Sequence, residues 1–182
     1  MRQEVGSLIA AVSGVLLVQV SAGGLQEVLQ WPVRLVGIVG FLGVLWYVLR
    51  RWRTSAPPRR PRSRREIRSY ALWLGLILIA VVLGLWLFTQ VLPLPALIVP
   101  WTVMLLGLHF LPFASTFGFP IFERLGGILF ALGIVGGAVF LTFTPAASAL
   151  TGVVAGFALL IFGAAAAAPE IGDVGASAGD AS

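Results

Sequence analysis

Six apolar stretches, each near the length needed to cross a bilayer, leave this chain little choice of architecture. They run over 5–20, 32–49, 69–91, 95–113, 120–143 and 145–168. About 20 mostly apolar residues in a helix cover the ~30 Å of hydrocarbon. Backbone in lipid must satisfy its own hydrogen bonds, and the alternating pattern of barrel strands is missing, so the stretches read as helices. Composition agrees, with 59% hydrophobic and 10% charged residues. With the 22 glycines added and tyrosine dropped, the apolar share reaches roughly 70%, against about 45–50% in soluble domains. A soluble domain of 182 residues cannot hide that much apolar surface. The expected fold class is all-α: a polytopic transmembrane helical bundle of six spans arranged as three helical hairpins. The first stretch is the shortest. Val20-Ser21-Ala22 also fits a signal-peptidase site, so a cleaved leader stands beside a retained span, with Glu4 in the leading segment favouring the span.

Charge sets the expected orientation. Nine of the twelve basic residues, all arginines, fall in segment 50–68, between the second and third stretches. Short arginine-rich loops stay cytoplasmic, because export is opposed by the translocation machinery and by the membrane potential. The linker is therefore expected inside, and with six spans both chain ends follow it. Arg2 and Arg124 then lie on the inner side, and Arg34 near the outer end of a helix. The chain lacks Lys and Asn, whose codons are A-rich, so a G+C-rich bacterial genome and an inner-membrane location are expected.

Each outer loop hands over to its next helix through a proline: Trp31-Pro32, Leu94-Pro95 and Thr144-Pro145. Proline suits a first helical turn, where its missing N–H costs nothing, and Thr144 is placed to cap the last helix. The organisation read from the chain is a first transmembrane hairpin over 1–49, an Arg/Pro-rich cytoplasmic linker over 50–68, a four-helix transmembrane region over 69–168 and a disordered tail over 169–182. The tetrapeptide Gly-Ile-Val-Gly occurs at Gly37 and again at Gly133, but strings this short recur by chance in membrane sequences.

Lipid gives helices no hydrophobic reason to meet, so contact is expected at small residues. Gly6, Ala10 and Gly14 share one face of the first stretch, and Ser148, Gly152 and Gly156 one face of the sixth. The fifth has Gly126, Gly127, Gly133 and Gly137. The third is bulky nearly all round, through Leu72, Trp73, Leu76, Ile79, Leu83 and Trp86. The first, fifth and sixth helices are therefore expected at the packed centre, with the third more exposed to lipid. The small faces also suit a homodimer, although six helices supply ample internal partners. Trp31 and Trp101 on the outer side, with Trp46, Tyr47, Trp52, Tyr70 and Trp73 on the inner side, fit the aromatic belts of a bilayer and are read as carrying no chemistry.

The sequence offers few reactive groups. It has no cysteine and one histidine, which excludes thiol chemistry, disulfides and any pair of imidazoles in one chain. No phosphate-binding loop, carboxylate dyad or ligand cluster is visible, so no catalytic residue, metal or cofactor is expected. Gly175-Ala176-Ser177-Ala178-Gly179 fits the Gly-x-Ser-x-Gly pattern, but it lies in a low-complexity tail without the strand, helix and base that a nucleophile elbow needs. His109 stands out. Counted from Pro95 at 1.5 Å per residue it lies about 21 Å into the membrane, and an ionisable group at that depth is a candidate proton relay or ligand contact. The alternative is a neutral imidazole bonded to a backbone carbonyl, a threonine or Glu123, preferred because no second buried ionisable residue completes a relay. Glu123 and Arg124, near the start of the fifth helix, complete the set of candidate functional residues.

Around His109, segment 107–127 carries Phe110, Phe113, Phe117, Phe119 and Phe122. Pro112 is expected to end the fourth helix, Gly118 to allow a turn, and Pro120 to start the fifth, leaving an apolar loop buried in lipid. The Gly-x-His-Phe at Gly107, His109 and Phe110, followed by Pro-x-Phe at Pro120 and Phe122, resembles small multipass bacterial membrane proteins of uncharacterised activity. That resemblance implies a multispan architecture and no activity.

The linker arginines (Arg50, Arg51, Arg53, Arg59, Arg60, Arg62, Arg64, Arg65 and Arg68) are expected to contact anionic lipid headgroups of the inner leaflet. Nucleic acid is a less suitable partner, and fixing the topology is a sufficient role for the charge. These features together point to a non-enzymatic accessory or scaffold protein, or one that binds lipid or apolar ligands. A small transporter, proton-coupled through His109, is the rival.

Overall fold

Every apolar stretch that the sequence marks is helical in the computed structural model, which describes residues 3–52, 64–117 and 120–167. The helices are α1 Gln3–Ala22, α2 Glu27–Trp52, α3 Arg64–Trp86, α4 Ile98–Phe117, α5 Pro120–Thr142 and α6 Ala146–Ala167. No strand occurs among the described residues. Five of the six helices are long and apolar enough to cross a membrane; α1 carries a shorter apolar run, Gly6–Ala22. Its 17 residues rise about 25 Å, just short of the ~30 Å of hydrocarbon. The tail beyond residue 167 and the nucleophile-like motif within it lie outside the described residues.

Two prolines do not act as the sequence suggests. Pro32 lies inside α2, which starts at Glu27. An acid in the first turn suits the helix dipole, and the Gln30 side chain donates to the Leu25 carbonyl at 2.9 Å, so the helix gains its start before the proline. Pro112 lies inside α4, which continues to Phe117. Proline is tolerated in membrane helices when neighbouring groups take up the freed backbone. Two other helix starts follow the expectation. Pro95 opens a short 3₁₀ turn, Pro95–Leu97, ahead of α4. Thr144 caps α6, its hydroxyl accepting from the Ala146 amide at 3.3 Å. The end of α3 departs from regular form in a π-helical turn, Leu87–Val91.

Helix α6 is the centre, packed against α1, α2, α4 and α5. Its tightest partner is α1, along the small-residue faces read from the sequence. A Cβ on Gly14 would stand 2.7 Å from the Gly156 carbonyl oxygen, and a Cβ on Gly156 would stand 2.7 Å from that of Gly14. Backbone meets backbone there, and a larger side chain has nowhere to go. The second close pair is α4 with α5, where a Cβ on Gly107 would meet the Phe130 amide and the Gly126 oxygen. The fourth helix thus shares the centre with the first, fifth and sixth. Gly107 is its one glycine, and it sits where the backbone of α5 comes closest.

Several hydroxyl groups in the bundle bond backbone carbonyls. Thr102 and Thr142 each donate to the carbonyl four residues back, as does the buried Thr151. Ser148 donates to the Ala96 carbonyl and so ties α6 to the turn before α4. Helix α3 is peripheral and rests on α4. Its Leu72, Leu76, Ile79, Leu83 and Trp86 are exposed on a surface that suits lipid.

Candidate functional site

The two ends of α3 are held to α4 by different chemistry. Toward the α3–α4 connection, the Trp101 indole donates to the Ala80 carbonyl at 3.1 Å and packs edge-on to Phe88, with ring centroids 5.8 Å apart. Gly84 makes room for it: a Cβ there would overlap the indole ring. Trp101 is therefore a tie between helices, a role that its place near a helix end did not suggest. An indole N–H in a membrane needs an acceptor, and the carbonyl on the next helix supplies it.

Toward the arginine linker, the Tyr70 hydroxyl and His109 Nε2 lie 3.0 Å apart, joining α3 to α4 again. The rings are tilted by 47° with centroids 5.6 Å apart. Either group can donate, depending on the imidazole tautomer. The partner of Nε2 is thus a phenol on α3, in place of the carbonyl, threonine or Glu123 that the sequence offered. Tyr70, read as a belt residue without chemistry, is half of the pair.

Phe110 meets the His109 ring edge-on at 5.8 Å and stacks on Phe122 at 5.6 Å with only 9° between the planes. Phe110 and Phe122 are buried between α4 and α5. The expected phenylalanine loop in lipid is corrected for these two, which are core residues. Phe119 and Gly118, with the side chains of Phe113 and Phe117, lie outside the described residues. Glu123 and Arg124 are exposed on the first turns of α5.

Beside the Tyr70–His109 pair runs a groove of about 310 Å³, lined by Ser69, Tyr70, Leu72, Trp73, Leu76 and Pro112. A separate, open hollow of about 290 Å³, lined by Leu78, Ile79, Val82 and Leu83 of α3 alone, is wholly apolar. The Trp73 indole nitrogen has no acceptor among the described residues. Sequence reasoning missed this feature. The available signal was the helical spacing of Ser69, Tyr70 and Trp73 among leucines, which puts polar edges and apolar bulk on one side of a helix.

The arginines divide by position. Arg50 is exposed and lies over the Trp46 ring, 5.5 Å from its centroid, while Arg34 at the opposite end of α2 lies 5.9 Å from the Trp31 centroid. Arg68 is exposed at the start of the groove-bearing part of α3. Arg51 and the pair Arg64 and Arg65 fall in the end turns of α2 and α3; Arg53, Arg59, Arg60 and Arg62 lie outside the described residues. No group of three or more His, Cys, Asp or Glu able to hold a metal occurs among the described residues.

No protein-family model matches the chain, and neither does any curated protein or solved structure. Gly107, Phe110 and Phe122 belong to the α4–α5 contact, and His109 links that contact to α3. The apolar helices fit a membrane protein.

Proposed function

We propose that the protein is a non-enzymatic scaffold or accessory component of the bacterial inner membrane that engages lipid and turns over no substrate. Its arginine linker and both chain ends face the cytosol, and the linker arginines lie on anionic headgroups. The observation that carries the reading is the apolar outer face of α3, where Leu72, Leu76, Ile79, Leu83 and Trp86 are exposed beside a groove. His109 ties that helix to α4 through Tyr70. Glu123 and Arg124, the other candidate groups, are exposed on α5.

Two experiments test this. Purified protein in dye-loaded proteoliposomes under a pH gradient is expected to leave the proton leak at the level of protein-free vesicles. A leak that rises with protein and vanishes in His109→Ala would replace the scaffold by a transporter. Because the native chain has no cysteine, single probes are clean. Ser55→Cys and Ser182→Cys are expected to resist impermeant thiol reagents in intact cells, while Gln26→Cys is labelled. The reverse pattern overturns the orientation.

A further inference from the structure

The groove on α3 has the polarity profile of a single phospholipid. It begins at Ser69 and Tyr70, continues past Trp73 to Leu76, and is succeeded by the wholly apolar surface around Ile79 and Leu83. Positions 69, 72, 76, 79 and 83 follow one face of the helix, at three- and four-residue steps. From Ser69 to Leu83 the axis rises about 21 Å, more than the ~15 Å that is half of the hydrocarbon thickness. One acyl chain therefore fits along the face with its polar end at Ser69.

Charge selects the headgroup. The turn of α3 that leads into the groove carries Arg64, Arg65 and Arg68 against the single acid Glu66. Arg68 is exposed and directly precedes Ser69. A zwitterionic headgroup gains less from this cationic turn than an anionic one. Two lining groups add shape and polarity. The Tyr70 ring is fixed by its bond to His109, and the Trp73 ring forms part of the groove wall beside it.

We propose that the α3–α4 groove binds one anionic glycerophospholipid, with its phosphate at Arg68 and an acyl chain running along Leu72, Leu76 and Ile79. The inference deepens the lipid-engaging scaffold reading and rests on it, naming the lipid class and the place.

The test is native mass spectrometry of the detergent-purified full chain, titrated with phosphatidylglycerol or with phosphatidylcholine of the same acyl chains. Wild type is expected to retain one phosphatidylglycerol with about a fivefold preference, the equivalent of ~1 kcal/mol for one arginine near an anionic group. Arg68→Gln removes that preference. Leu76→Trp, an exposed position where added bulk fills the groove, lowers retention of both lipids at least fivefold. A triple change of Arg59, Arg60 and Arg62 to glutamine leaves retention as in wild type, because those arginines serve the leaflet at large. Equal retention of the two lipids by wild type, or full retention by Leu76→Trp, overturns the site. Either result leaves the proton-leak measurement untouched, so the site and the scaffold reading fail separately.

Discussion

The seams of α6 with α1 and of α5 with α4 differ in kind from the attachment of α3. In both seams glycine lets two backbones touch: Gly14 against Gly156, and Gly107 against Gly126. Helix α3 touches the bundle through side chains instead, with one indole bonded to the Ala80 carbonyl and one phenol bonded to an imidazole. Backbone contact at small residues is unforgiving and continuous, whereas a side-chain tie can be made or broken singly. The difference separates a fixed core from a tethered outer helix. The outer helix lines both the groove and the apolar hollow.

The contrast breaks most visibly at the seams. Gly107→Leu is expected to destabilise the detergent-solubilised protein by about 3 kcal/mol or more, read as a lowered thermal unfolding midpoint, since the atoms in its way are backbone of α5. Gly127→Leu, twenty positions later on a helix of the same seam, has open space within 4 Å and should stay within ~0.5 kcal/mol of wild type. If the two substitutions cost the same, the α4–α5 seam is misplaced. The outer helix should respond less. Trp101→Phe keeps the ring in the Gly84 notch but loses the bond to Ala80, at about 1 kcal/mol. Faster hydrogen exchange confined to α3 is the expected readout; exchange that quickens equally in α6 would show that α3 is no separate unit.

Apolar length made all six helices legible in the sequence, because in lipid it is itself the folding signal. The α1–α6 seam was legible too, since glycine and alanine at four-residue spacing mark a face. The role of α4 was not. Its single glycine shows no spacing pattern, and its significance depends on which helix stands opposite. Prolines misled for a related reason: Pro32 and Pro112 are helix breakers in water but sit inside α2 and α4. The Tyr70–His109 pair required knowing the register of the α3–α4 hairpin. The Tyr70–His109 and Ala80–Trp101 ties are both centred near Gln90, inside the π-helical turn, and not at the Pro93–Pro95 connection from which a register would be counted. Placing those residues at one end of the molecule was within reach of the sequence; pairing them was not.

A further small effect bears most directly on the outer helix. Hydrogen bonds between membrane helices are worth on average about 0.6 kcal/mol and at most about 1.7, because separated helices find other partners for the same groups. Tyr70→Phe removes only the hydroxyl, and His109→Phe keeps an aromatic ring of similar breadth, so their double-mutant cycle isolates the pair. A coupling of about 0.6 kcal/mol in detergent unfolding fits an interhelical tie. The change should appear as faster exchange at the linker end of α3, on the side away from Trp101 and Ala80. Zero coupling, with each single change costing something, would mean that Tyr70 and His109 serve different neighbours and that Trp101 alone holds α3. That result would also unfix the Tyr70 wall of the groove, and lipid retention in Tyr70→Phe would then match wild type instead of falling with the tie.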